Sequence, residues 1–126
     1  MDNFQMIRVA LIEDDITYAI GLKYYLKKFD DINLCGTAFD YDDSINLLKN
    51  TDFDIILVNS TLSENTDTGL KLSKELKSNY NSKIIILTPL SNNHKKSIES
   101  NPFHYICKDN YSEIPNMIRD IYYKKC

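Results

Sequence analysis

The chain has 126 residues, 43% of them hydrophobic and 26% charged, with a formal net charge of −3. That length is enough for one domain with its own core and too short for two ordinary ones, so residues 1–126 are expected as a single domain. The acidic balance argues against direct contact with nucleic acid, and no apolar run approaches the roughly 20 residues that cross a bilayer.

The first residues, Met1-Asp2-Asn3-Phe4-Gln5-Met6, lack the basic and apolar regions of a secretory leader, so a cytoplasmic, reduced protein is expected. Ile7–Ile12 is the first apolar run, and Glu13-Asp14-Asp15 follow it. Ile16, Ala19, Leu22, Leu26 and Phe29 then recur in three- and four-residue steps, the period of a helix. Asp15 is expected as the cap of that helix. A second run, Ile32–Ala38, precedes a helical stretch marked by Ile45 and Leu48. The run Asp54–Val58 ends at Asn59, and Leu72 with Leu76 mark the next helix. Lys83–Leu87 is the fourth run, and Thr88 and Pro89 follow it. Asn92–Ser100 is a weaker helical segment, with Ile98 its only large apolar residue. Tyr105–Cys107 is the fifth run. The last helix carries Ile114, Met117, Ile118 and Ile121, with Ser112 as its expected cap and Pro115 in its first turn, and ends near Tyr123.

Ile55-Ile56-Leu57-Val58 and Ile84-Ile85-Ile86-Leu87 are apolar at every position, as in strands covered on both faces. Strand and helix alternate five times, which with right-handed crossovers builds one doubly wound parallel sheet of the α/β class. The three cysteines form no C-x-x-C pair and no metal-ligand spacing. Cys35 and Cys107 lie among apolar residues and are expected as buried thiols. His94 and His104 have no partner in the sequence and are expected at the surface or in loops. The tyrosines of Tyr24-Tyr25 and Tyr122-Tyr123 read as half-buried helix faces.

A doubly wound sheet binds its ligands beyond the carboxyl ends of its strands. The residues that follow the apolar runs are therefore the candidates for chemistry. They are Glu13, Asp14 and Asp15; Asn59, Ser60 and Thr61; Thr88 and Pro89; Lys108 and Asp109. Carboxylates suit a hard cation such as magnesium, while a lysine and a hydroxyl suit phosphoryl oxygens.

At these residues the chain resembles the receiver domains of two-component response regulators. Val9-Ala10-Leu11-Ile12-Glu13-Asp14-Asp15 is similar to the family's first strand and acid pair. Asp31-Ile32-Asn33-Leu34-Cys35-Gly36-Thr37-Ala38 and Ile106-Cys107-Lys108-Asp109 are most similar to its LuxR-type (NarL-like) branch. The resemblance runs from Ile7 to about Tyr123. It implies a flavodoxin-like strand order of 2-1-3-4-5. It implies a magnesium site on Glu13, Asp14, the residue at 59 and the backbone of Thr61. It implies that Thr88, Tyr105 and Lys108 form the phosphate pocket and its aromatic switch. It further implies a domain without catalysis of its own, a protein partner or an attached DNA-binding output domain, and dimerisation through helical faces that include the last helix.

Where the family carries a phosphate-accepting aspartate, this chain carries Asn59. A neutral amide is a far poorer nucleophile than a carboxylate, and the usual acyl phosphate cannot form on it. The magnesium site should be weak or absent, and Lys108 should lean toward Glu13, Asp14 or the Asn59 carbonyl. Other departures lie close by. Ser63 replaces a usual proline, the loop from Ser60 to Thr68 is longer, Pro89 stiffens the segment after Thr88, and Asn101-Pro102 replaces a usual Gly-Ala. The expected function is a regulatory module independent of phosphorylation and serving transcription control. A receiver that accepts phosphate elsewhere, for example at Ser60, is the rival. A flavodoxin-type cofactor binder shares the fold, but Glu13-Asp14-Asp15 would repel a phosphate where such a protein needs a phosphate-binding loop.

Overall fold

A computed structural model describes residues 6–60, 68–79, 82–88 and 104–124. Its elements are β1 (Ile7–Ile12), α1 (Ile16–Leu26), β2 (Ile32–Ala38), α2 (Tyr41–Asn50), β3 (Ile55–Asn59), α3 (Thr68–Asn79), β4 (Lys83–Thr88), β5 (His104–Cys107) and α4 (Ile114–Tyr123). The strands pair in parallel in the order β2-β1-β3-β4-β5. The expected helix over Asn92–Ser100 lies outside the described residues, as do Thr61, Ser63, Pro89, His94 and Asn101-Pro102.

The strand patterns explain the layers. Every residue of β3 is buried, and β4 is buried throughout except Lys83. Side chains alternate across a strand, so all-apolar strands must be covered on both sides. One core joins α1 and α4 to Val9, Leu11, Ile55, Leu57, Ile85 and Leu87. The other holds Leu48 of α2 and Leu72 and Leu76 of α3 against Ala10, Ile12, Ile56, Val58, Ile84 and Ile86.

Asp15 caps α1, its side chain accepting from the Tyr18 N–H, and Asp40 caps α2 in the same way through Asp43. The entry to α4 differs from expectation. Tyr111–Glu113 forms a turn of 3₁₀ helix, so α4 begins at Ile114 without a side-chain cap, and Ser112 lies inside the turn. Pro115 does fall in the first turn, where its missing N–H leaves no bond unmade. Arg119 of α4 grips the carboxylate of Asp31 with two nitrogens at 2.8 and 3.0 Å, which ties this helix to the approach to β2.

Two expectations about burial are corrected. Cys35 is exposed and Cys107 only partly buried. β2 is an edge strand whose burial alternates from Ile32 to Cys35, so Cys35 falls on the open side with Asn33, next to the step in register to β1 from Val9↔Leu34 to Ala10↔Gly36. Ile16, placed in the core stripe of α1, is 57% exposed. The core side of α1 is Ala19, Leu22 and Leu26, and the helix carries further apolar residues on its outer side. The tyrosine pairs divide: Tyr25 and Tyr122 are partly buried, while Tyr24 and Tyr123 face solvent. His104 opens β5 at the surface, as expected.

Candidate functional site at the carboxyl edge of the sheet

Parallel strands deliver their carboxyl ends to one edge. Glu13 follows β1, Asn59 ends β3, Thr88 ends β4 and Lys108 follows β5. Backbone bonds past the strand ends fix these positions. The Glu13 N–H donates to Ala38 O (3.0 Å), the Ser60 N–H to Leu87 O (2.9 Å) and the Lys108 N–H to Thr88 O (2.8 Å).

Contacts among four side chains define the centre. Glu13 is fully buried. Its Oε2 lies 2.7 Å from Lys108 Nζ, and its Oε1 accepts from Asn59 Nδ2 at 2.7 Å and from the Asp15 N–H at 3.1 Å. The same Asn59 Nδ2 donates to Asp14 Oδ1 at 3.2 Å. The orientation of the amide follows from charge, because its carbonyl turned toward two carboxylates would be repelled while its NH₂ binds both. Burial pushes the Glu13 carboxyl above its ordinary range, and the hydrogen bonds from Lys108 and the Asp15 N–H pull it back. Lys108 leans toward Glu13, one of the partners expected from charge balance.

Thr88, 5% exposed, pairs with Cys107 in the sheet, and its neighbour Leu87 pairs with Asn59. Tyr105 packs against the core that includes Ile12 and Val58. Its hydroxyl is buried and has no hydrogen-bond partner among the described residues, and burial raises its pKa. Thr61 lies outside the described residues.

Tyr18 belongs to this site and was not singled out in the sequence. The Lys108 ammonium sits 4.3 Å from its ring centroid, and its hydroxyl donates to the Lys108 carbonyl at 3.2 Å. Its ring packs edge-on against Tyr111, and burial raises its pKa well above the usual tyrosine value. The available signal was its place three residues after the cap Asp15, which sets it in the first turn of α1 at the same edge. Gly69, at the start of α3, lies against the backbone of Asn59 and Ser60 at the end of β3. A Cβ there would lie 2.0 Å from the Asn59 carbonyl oxygen, so α3 approaches the end of β3 only because residue 69 has no side chain.

The resemblance implies a divalent cation held by Glu13 and Asp14, and these contacts do not fit one. The carboxylate oxygens that such an ion needs are engaged by an amide, an ammonium and a backbone N–H. No cluster of three histidines, cysteines or acids with the spacing of a metal site occurs among the described residues.

A five-stranded parallel sheet in this order, with acids after β1 and a lysine after β5, is the framework of a signal-receiving domain. The family profile described as the response regulator receiver domain matches residues 9–119. The chain belongs to that family. It is 29% identical over 110 residues to the transcriptional regulatory protein YdfI of Bacillus subtilis, covering 86% of this chain and 51% of that protein. It is 31% identical over 114 residues to YxjL, an uncharacterized transcriptional regulatory protein of the same organism, covering 88% and 51%. The chain thus spans about half the length of these relatives. Its fold is similar to the non-phosphorylated receiver domain of the stress response regulator RcsB from Escherichia coli (TM-score 0.81, 19% identity, 93% of each chain). It is also similar to a LuxR-family response regulator from Aurantimonas (TM-score 0.78, 19% identity, 94% of this chain and 86% of that one).

Proposed function

We propose that this receiver acts without phosphorylation, as a regulatory module in the cytoplasm with no catalysis of its own. One observation carries the reading: the Asn59 amide donates to both Glu13 and Asp14. Asn59 takes the place of the phosphate-accepting aspartate, and it offers the acid pair N–H donors instead of a third negative charge. The pocket is balanced internally by Asn59 and Lys108, so neither magnesium nor a phosphoryl group is required to hold it. Thr88, Tyr105 and Lys108 retain the residue types of a phosphate pocket and serve here as packing and charge balance.

The likeness to two transcriptional regulators over half their length favours transcription control through an attached output domain or a protein partner. On the last helix, the apolar residues divide between the core and the exposed Tyr123 at its end. Ile114, Ile118 and Ile121 of α4 point into the core, and Asn116 and Asp120 face outward. The test is light scattering with and without magnesium and acetyl phosphate. The particle mass should be the same in both conditions. A donor-dependent change of mass would favour the rival reading, in which another residue such as Ser60 accepts phosphate.

A further inference from the structure

Helices α2 and α3 pack on the same face of the sheet, and a groove of about 500 Å³ runs between them. Ser44 and Leu48 are the core side of α2, so Tyr41, Ile45 and Lys49, spaced by four, form a line along its flank. Ile45 and the buried Leu76 of α3 give the groove an apolar floor. Its charges are sorted by end. At the amino end of α2 the Tyr41 hydroxyl donates to the Glu75 carboxylate of α3. That bond and, to a smaller extent, the charge of Asp42 raise the Tyr41 pKa, so both acids lie near the hydroxyl. At the other end Lys49 lines the same groove. Neither Asp42 nor Lys49 forms a salt bridge among the described residues. The macrodipole of α2 suits an acid in its first turn and a base in its last, but it does not account for Glu75, which comes from the middle of α3.

We propose that this groove binds a short peptide with free termini, its ammonium at Asp42 and Glu75, its carboxylate at Lys49 and its middle on Ile45 and Leu76. Two carboxylates beside an aromatic ring suit an ammonium, and a lysine suits a carboxylate. The volume falls within the roughly 300–1,000 Å³ of small-ligand sites. The spacing of the charges sets the length of the ligand. Positions 42 and 49 stand about 10 Å apart along the helix axis, at about 1.5 Å per residue. An extended peptide advances about 3.5 Å per residue, so two or three residues hold the terminal charges about 6–10 Å apart, within reach of both ends. A free amino acid carries both charges on one carbon and cannot engage both ends at once. The groove is open and its polar groups are few, so a tripeptide should bind weakly, with a dissociation constant on the order of 0.1–1 mM. The binding does not involve Asn59, Lys108 or phosphate, so its failure would leave the reading of the pocket untouched.

An NMR titration of the isotope-labelled whole chain tests this, with trialanine as the probe beside its N-acetyl form, its C-terminal amide and free alanine. The variants are Asp42→Asn/Glu75→Gln and Lys49→Gln, each checked for an unchanged thermal melt. All three positions are exposed and the glutamine keeps an acceptor for Tyr41, so the fold should tolerate them. Trialanine should give saturable shifts at the amides of α2 and α3 around Ile45 and Leu76. Acetylation, amidation or shortening to alanine should each weaken binding by about tenfold or more, and so should either variant. Selectivity is the readout that a merely structural effect would not move. Lys49→Gln should bind trialanine and its amide alike, and the acid variant should bind trialanine and its N-acetyl form alike. No saturable shift at well above millimolar concentration overturns the proposal. Equal binding of the capped forms by the unmutated chain overturns the charge pairing, and alanine as tight as trialanine overturns the two-ended site. Variants that weaken binding but keep both selectivities overturn it too, because the charges would then act through structure alone.

Discussion

At the scale of single residues, the site turns on the difference between an amide and a carboxylate of nearly the same shape. The Asn59 NH₂ holds two acids that would otherwise repel each other. In Asn59→Asp, three carboxylates would share one lysine. That variant should lose about 1–3 kcal/mol of stability without magnesium, the usual cost of breaking a buried polar network. It should recover most of this with millimolar magnesium, while the unmutated chain should melt at the same temperature in both conditions. Differential scanning calorimetry decides this, and a magnesium-dependent melt of the unmutated chain would contradict the account. The buried pair of Lys108 and Glu13 gives a pH-dependent prediction. The folded-state pKa of Glu13 is raised, so its burial carries no charge penalty while the group is protonated and destabilises increasingly as pH rises through its ordinary value of 4.5. Lys108→Met removes the compensating charge and raises that pKa further. The variant should fall about 3–5 kcal/mol short of the parent at neutral pH, the usual cost of leaving a buried charge alone. The gap should shrink toward pH 4. Urea unfolding at both pH values measures it, and a gap that does not depend on pH would show that Lys108 acts through packing alone.

At the scale of elements, the strands were the most legible part. Runs such as Ile55-Ile56-Leu57-Val58 admit burial on both faces and little else, and they appear as interior strands. Helix period was a poorer guide to which side faces in. In α1 it marked a stripe that included Ile16, because the helix carries apolar residues on both its core and outer sides. Ser112 had the chemistry of a cap but lies in a 3₁₀ turn, a feature decided by how the chain leaves β5 and not by the residue itself. Cys35 looked buried among its neighbours, but the alternation of the edge strand β2 puts it on the open side with Asn33. The close approach of α3 to the end of β3 was invisible in the sequence, since one glycine does not say what it lies against. Gly69→Ala should force the Asn59–Ser60 peptide and α3 apart, costing roughly 1–3 kcal/mol or more. A thermal melt within a degree of the parent's would show that the contact relaxes freely.

At the scale of the whole molecule, the position of the site followed from topology. Acids after β1, an amide ending β3 and a lysine after β5 had to converge once the sheet was parallel, and the contacts between Glu13, Asp14, Asn59 and Lys108 follow from that. What the sequence did not carry was direction: which way the amide points, which acid the lysine chooses, and that Tyr18 covers it. These depend on burial and charge in the folded state. The central claim is that this balanced pocket cannot take up phosphate. The measurement that tests it most directly is intact-mass spectrometry of the unmutated chain and of Asn59→Asp after treatment with acetyl phosphate and magnesium. The unmutated chain should keep its mass, and Asn59→Asp should gain an acid-labile phosphoryl adduct. Stoichiometric, acid-stable phosphate on the unmutated chain would contradict it and assign the acceptor role to another residue.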